Sequence, residues 1–392
     1  HRHREGATLL PMGLYLDHAA STPLRPGVPE TMAPFLEGTY GNPSSGHREG
    51  RAARKTLEEA RESIASALNC RPREVCFTSG GTEADNLAVF GAVGALPESR
   101  RGVVTCATEH PAVLAPCKRL GAIVLSPRSD GRLDPAAFSE ALAPGVGLAS
   151  AMAANNETGV LHPLAEIGRI CRERGVLLHT DAVQAVGHVS VDWKSLPVDL
   201  LSLTAHKLGG PRGIGALIVR EGVKLQPLFY GGDHESGRRP GTENVAGAVG
   251  MAEALRQAVH GMAEEKARIS TLRDKLLEGL RQAFPDLVLH GHPAERLPQT
   301  LNVSVPGVDA TMALVALDQA GLAASGGSAC HSGSPDPSPV LAAMGVPRDL
   351  AAGAIRLSLG HSSTREEIDR ALPVLAEVLG RLLRKVPSAR RS

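Results

Sequence analysis

The sequence predicts an α/β protein, with a large domain around a mainly parallel seven-stranded sheet and a smaller α+β C-terminal domain. Three observations predict it. Seven short β-rich runs, at 74–78, 102–106, 122–125, 146–152, 176–181, 199–203 and 215–219, alternate with helical patterns, the order expected of a parallel sheet with helices on both faces. A long helical region at about 243–283 leads into a second set of elements, strands at 300–305 and 354–358 and a terminal helix at about 364–384. Gly- and Pro-rich segments at 208–215, 230–241 and 326–339 punctuate the chain.

The helix at 163–174 shows how the elements are read. Leu164, Ile167, Ile170 and Cys171 recur at spacings of three and four, while Glu166, Arg169 and Arg172 fall on the other face, so one stripe packs on the sheet. A chain of 392 residues with 42% hydrophobic content can bury a full core and form more than one compact unit. The expected organisation is a large domain over 24–262 and a small domain over 14–23 and 263–392. Residues 1–13, basic and irregular, are read as an extension or expression remnant outside the fold.

Composition excludes several classes of function. A net charge of +1 creates no long-range field for nucleic acid or an anionic membrane. No stretch approaches the roughly 18 apolar residues of a membrane span, and the N-terminus has no signal-peptide pattern. A cytoplasmic protein with neither nucleic acid nor membrane as partner is expected. The six cysteines include no C-x-x-C pair and suit a reducing compartment. Cys70, Cys76, Cys106, Cys117 and Cys171 sit in apolar or helical context and are read as inert thiols.

The residues that carry chemistry cluster after strands. Ser79-Gly80-Gly81-Thr82-Glu83 follows the first strand and opens a helix, so free N–H groups and the Thr82 hydroxyl can cradle a phosphate. Neither G-x-x-x-x-G-K-[ST] nor G-x-G-x-x-G occurs, which argues against triphosphate and dinucleotide sites. Asp181, in Thr180-Asp181-Ala182-Val183-Gln184, ends another strand at the edge where such sheets bind ligands; it suits a cationic partner such as a protonated pyridinium. Lys207, in Thr204-Ala205-His206-Lys207-Leu208-Gly209-Gly210, lies between a strand end and a glycine-rich turn and suits a Schiff base. His110, in Thr108-Glu109-His110-Pro111, shares that edge and can stack on a planar ring or move protons. Asn155 and Asn156 follow the strand at 146–152. Cys330, in Gly326-Gly327-Ser328-Ala329-Cys330-His331-Ser332, has only small neighbours, so an exposed, mobile nucleophile is expected, with His331 as a neighbour able to lower its pKa. No second ligand stands at zinc-like spacing, and no resident metal is expected. Each motif alone has a plainer reading: a capped turn for Thr82, a helix cap for Asp181, turn stabilisation for the asparagines, a surface lysine for Lys207 and an incidental exposed cysteine for Cys330.

Together these residues resemble the cysteine desulfurases, the NifS/IscS-like branch of the class V aminotransferase family, over residues 15 to about 368. The resemblance is carried by Tyr15-Leu16-Asp17, Gly41-Asn42-Pro43-Ser44-Ser45, Phe77-Thr78-Ser79-Gly80-Gly81-Thr82-Glu83, Asn155-Asn156-Glu157, His179-Thr180-Asp181-Ala182-Val183-Gln184, His206-Lys207, Gly241-Thr242-Glu243-Asn244 and Gly327-Ser328-Ala329-Cys330. It implies a fold-type I enzyme that uses pyridoxal 5'-phosphate. Lys207 would carry the cofactor as a Schiff base, His110 stack on the ring, Asp181 pair with the ring nitrogen, and Gln184 and Asn156 reach the phenolic oxygen. Gly81, Thr82, Thr204 and His206 would hold the phosphate, helped by Thr242 of the other subunit of a homodimer. Arg356, in Ile355-Arg356-Leu357-Ser358, would take the substrate carboxylate as a bidentate clamp, with Asn42 and Asn156 assisting. The chain departs from the family pattern at Pro240, where serine is usual and an N–H and a hydroxyl are lost, and at Thr204, where serine is commoner.

The implied reaction converts L-cysteine to L-alanine. Its sulfur passes to Cys330 as a persulfide and on to an acceptor protein such as an iron–sulfur scaffold. Cys330 is also a candidate transient iron–sulfur ligand, and its loop has the length seen in the iron–sulfur-assembly group. The rivals are a selenocysteine lyase, an aminotransferase or other lyase in which Cys330 is incidental, and a non-catalytic scaffold on the same fold.

Overall fold

The computed structural model describes residues 13–326 and 337–385. In chain order its strands are β1 (Leu14–Tyr15), β2 (Val75–Thr78), β3 (Gly102–Cys106), β4 (Ile123–Leu125), β5 (Val146–Ser150), β6 (Leu177–Asp181), β7 (Leu200–Thr204), β8 (Gly215–Val219), β9 (Val288–Leu289), β10 (Thr300–Ser304), β11 (Leu322–Ala323) and β12 (Ala354–Ser358). Seven of them form one sheet in the order β2-β8-β7-β6-β5-β3-β4. Only β8 runs against its neighbours, pairing antiparallel with both β2 and β7. The C-terminal ends of the other six strands therefore share one edge.

Side-chain alternation explains why the sheet is buried on both faces. Val75, Phe77, Val104, Ala149, Leu201, Leu203, Ala216 and Ile218 join one apolar cluster with Leu57 and Ile64 of helix Arg48–Leu68, Ile167 of helix Leu164–Glu173 and Met251 of helix Val245–His260. The residues between them, Cys76, Val103, Leu148, Leu200, Leu217 and Val219, face a second cluster with Leu87, Val89, Val113 and Cys117. Period-two side chains on a doubly covered sheet give this pattern.

A third cluster gathers Ile269, Leu272 and Leu276 of helix Met262–Ala283, Leu301 and Val303 of β10, Leu357 of β12, and Ile368 and Leu375 of helix Arg365–Lys385. Leu14 and Leu16 pack into it too, because β1 pairs with β11. The helical region expected at 243–283 is two helices, separated at Gly261. No helix among the described residues is long and apolar enough to cross a membrane.

The outer edge of β2 is closed by an ion pair. Arg61 Nη1 donates to the Val75 carbonyl at 2.8 Å, and Phe77 N–H donates to Glu235 Oε2 at 2.8 Å. Arg61 and Glu235 bind each other through two bonds of 2.8 and 2.7 Å, with only 10% and 2% of their side chains exposed. The pair satisfies edge groups that an eighth strand would otherwise take. Glu235→Ala leaves the buried guanidinium with only the exposed carboxylate of Glu58 as its charge partner, and breaking a buried pair in this way costs about 3–5 kcal/mol. A urea titration is expected to show a fall of that size in unfolding free energy; a change below about 1 kcal/mol would contradict the assignment.

Candidate active site

Five strand ends converge on a cavity of about 550 Å³. β2 supplies Gly81 and Thr82, β3 supplies Glu109 and His110, β5 leads to Met152 and Asn156, β6 supplies Asp181 and Gln184, and β7 supplies Thr204, His206 and Lys207. Gly81 is required by close approach: a Cβ there would lie 2.9 Å from Val183 Cγ2. The helix that opens at Gly81 thus meets the turn after β6 with its amides near the cavity.

Lys207 closes a short 3₁₀ turn after β7. Its Nζ donates to the carbonyls of Ala19 and Ala20 at 2.6 and 2.8 Å. Gln184 Nε2 also reaches Ala19 O, at 3.0 Å. Asp181 is 5% exposed and accepts the Val183 amide at 2.9 Å. Burial and the neighbouring Asp85 push its carboxyl up to about 7, while His179 and Lys207 pull it down.

Two imidazoles line the cavity uncharged. Burial, then the charge of Lys207, lowers both His110 and His206 to about 4, and Arg212 adds to the effect at His206. His110 Nδ1 accepts the Ala112 amide at 3.1 Å as the cap of helix Pro111–Arg119, which leaves the ring proton on Nε2. The asparagines divide their labour. Asn155 Oδ1 accepts from Glu157 and Thr158 amides at 3.0 and 2.8 Å and builds the turn, whereas Asn156 lines the cavity.

Arg356 enters from β12, 2% exposed. Nη2 donates to Asp17 Oδ1 and Nη1 to the Asn156 carbonyl, both at 2.8 Å. Asn42 and Thr242 do not line this cavity; both are exposed, and Asn42 Oδ1 takes the Ser44 amide instead. Cys330 lies outside the described residues. The residues flanking its segment border the cavity: Ser325 and Arg356 exchange backbone hydrogen bonds of 3.3 and 2.7 Å, Ser338 Oγ donates to the Glu157 carboxylate, and Pro339 and Val340 line the wall. Burial pushes Cys70, Cys76, Cys117 and Cys171 up to about 12 and holds Cys106 well above its ordinary range, so none of these five is a thiolate at neutral pH. Among the described residues no group of three or more His, Cys, Asp or Glu side chains could hold a metal ion.

Several site residues escaped the sequence reading. Asp17 stands in a motif but carries no role there, the Ala19 and Ala20 carbonyls carry no side-chain signal, Glu109 reads only as the neighbour of His110, and nothing in the sequence singles out Asp85. Only burial reveals them. In Lys207→Ala the loss of the positive neighbour is expected to raise the titration midpoints of His110 and His206 above those of the parent chain, followed by NMR; unchanged midpoints would remove Lys207 as a cause.

The comparisons agree with this geometry. The model of the family Aminotransferase class-V matches residues 14–371. The chain is 44% identical to cysteine desulfurase IscS of Dictyoglomus turgidum, over 94% of this chain and 95% of that protein. Among solved structures it is similar to a NifS-like protein (TM-score 0.89, 35% identity, 94% of this chain and all of that one) and to SspA in complex with cysteine (TM-score 0.78, 31% identity, 89% and 99%). A family match spanning the cavity, both sheets that supply it and Arg356 places the chain in the class V aminotransferase family, beside the NifS-like cysteine desulfurases.

Proposed function

We infer that this chain is a cysteine desulfurase that uses pyridoxal 5'-phosphate at the cavity around Lys207 and passes the sulfur of L-cysteine to Cys330. The observation that carries the reading is one cavity lined by a lysine amine, a buried carboxylate, a neutral imidazole and an arginine, in a chain whose relatives bear that name over nearly their full length. Those names favour cysteine over selenocysteine as substrate, and a similar structure holds cysteine.

The donor set fits the cofactor. Gly81, where a Cβ would meet Val183, and Thr82, Thr204 and His206 suit a phosphate. Asp181 offers a carboxylate for a ring nitrogen, Gln184 and Asn156 offer amides for a phenolic oxygen, and His110 offers a ring face. When bound, the pyridine ring supplies an electron sink for the substrate carbon next to it.

The chain's own residues do the rest. Arg356, held by Asp17 and the Asn156 carbonyl, takes the substrate carboxylate. Lys207 Nζ removes the α-proton, and His110, neutral and carrying its proton on Nε2, moves protons above the ring. The Cys330 thiolate attacks the substrate sulfur; the carbon–sulfur bond breaks with its electron pair on carbon, which takes up a proton. Cysteine and a thiol become alanine and a persulfide. We take the persulfide to be delivered to an acceptor protein such as an iron–sulfur scaffold. Thr242, exposed, is assigned to the cavity of a second copy, and the exposed Tyr40 (89%), Phe229 (53%) and Tyr230 (82%) support a covering partner there.

The test is alanine and sulfide formation from cysteine by the cofactor-loaded protein. Lys207→Ala and Cys330→Ala are each expected to lower alanine formation by about 10²-fold or more. Full turnover without Cys330 would leave a class V enzyme of another reaction.

A further inference from the structure

Beneath the cavity three carboxyl groups share one desolvated floor. Asp85, Glu109 and Asp181 are 1%, 3% and 5% exposed, and all three line the cavity. Burial, then the charges of Asp181 and Asp85, holds Glu109 well above the usual carboxylate range; burial pushes Asp85 up to about 7. Like charges in so dry a place do not all ionise, and the surroundings decide where the charge rests. Those surroundings differ. Asp181 has the Val183 amide and the field of Lys207. Asp85 Oδ1 and Glu109 Oε2 are buried without a hydrogen-bond partner, which a neutral carboxyl tolerates far better than a carboxylate.

The two outer carboxyls are joined through the sheet by a row of side chains from β5, β6 and β7. Ser150 Oγ lies 3.3 Å from Glu109 Oε1 and 2.9 Å from His179 Nδ1. His179 Nε2 lies 3.0 Å from Ser202 Oγ and 3.5 Å from Asp85 Oδ1. Strand register sets Ser150 directly opposite His179. Burial holds His179 neutral, at about 4, so one ring nitrogen donates while the other accepts. Every group in the row can both receive a proton and pass one on.

We propose that Glu109, Ser150, His179, Ser202 and Asp85 form a buried proton relay that keeps the two outer carboxyls protonated, leaving Asp181 as the one carboxylate facing a cation in the cavity. When Glu109 loses its proton to the cavity, a proton from Asp85 enters at His179 Nε2, directly or through Ser202. The Nδ1 proton passes through Ser150 to Glu109, the imidazole changes tautomer, and the deficit moves to Asp85. The transfer itself creates no charge: the single negative charge left by the proton lost to the cavity moves from Glu109 to Asp85, and a proton taken back from the cavity returns along the same row. Glu109, Asp85 and His179 are positioning residues, acting through Asp181. The relay rests on the cofactor reading only for the identity of the cation.

Infrared spectroscopy of the full chain at neutral pH, with and without pyridoxal phosphate, tests it. Two protonated-carboxyl components are expected in the loaded protein, one lost in Glu109→Gln and the other in Asp85→Asn, and both shifted in His179→Phe. Should that last variant not fold, Ser150→Ala is expected to shift the Glu109 component and Ser202→Ala the Asp85 component. Absence of such components, a third one removed by Asp181→Asn, or no shift when the row is cut overturns the relay. Failure of the wild-type chain to develop the visible absorption of bound cofactor would instead overturn the cofactor reading, with the infrared components still reporting on the relay.

Discussion

The cavity depends on two backbones meeting at Gly215. A Cβ there would lie 2.7 Å from the Gly80 carbonyl carbon and 2.7 Å from the Leu203 oxygen, and neither backbone can yield without moving a strand. The contact exists because β8 is inserted antiparallel between β2 and β7, with Gly215 opposite Thr78 on one side and Thr204 on the other. The glycine-rich turn after β2 is thereby held against the Lys207 turn after β7. Gly81 extends the constraint to β6 through Val183. Three strand ends reach one ligand because the residues between them have no side chains.

The second constraint is desolvation, which makes Lys207 and Arg356 in the cavity find partners from far along the chain. Lys207 rests on the carbonyls of Ala19 and Ala20, and Arg356 on Asp17 and the Asn156 carbonyl. One short segment, 17–20, therefore serves a lysine on the main sheet and an arginine on β12. Because β1 just before it packs with the C-terminal elements, the segment ties the third apolar cluster to the cavity at the edge of the main sheet. His110 and His206 show the complementary outcome: burial and the nearby charge of Lys207 keep them neutral.

Much of this was legible in the sequence, for identifiable reasons. Strand runs such as 102–106 and 354–358 were readable because apolar content and boundaries coincide in a doubly buried strand. Helix Arg48–Leu68 carries Ala53, Leu57, Ala60, Ile64 and Leu68 at helical spacing, yet it escaped the sequence reading. The reversal of β8 was not readable, since no local pattern records strand direction. In the site, Lys207, Asp181 and His110 were found by their position after strands. The pairing of Asp17 with Arg356 spans 339 residues, and the orphaned oxygens of Asp85 and Glu109 depend on tertiary burial; neither leaves a local trace. The separate jobs of Asn155 and Asn156 needed coordinates, because adjacent identical residues look alike until a turn is built.

Cysteine chemistry follows from the same desolvation. A sulfur nucleophile has to be a thiolate, and the environment that stabilises this fold suppresses thiolates. Cys76, Cys106, Cys117 and Cys171 are buried, and even half-buried Cys70 is pushed up to about 12 by burial and then by Glu74. A thiol that helps build the apolar clusters is thus unsuited to accept sulfur. Cys330, proposed above as the sulfur acceptor, stands by contrast in a run of small residues with no apolar periodicity. The described residues on either side of that run are held near the cavity, Ser325 by backbone bonds to Arg356 and Ser338 by its bond to Glu157. The described packing thus meets one of two demands that conflict at a single position: it makes a dry, rigid cavity that tunes acids and bases, and in doing so it keeps every thiol it buries protonated.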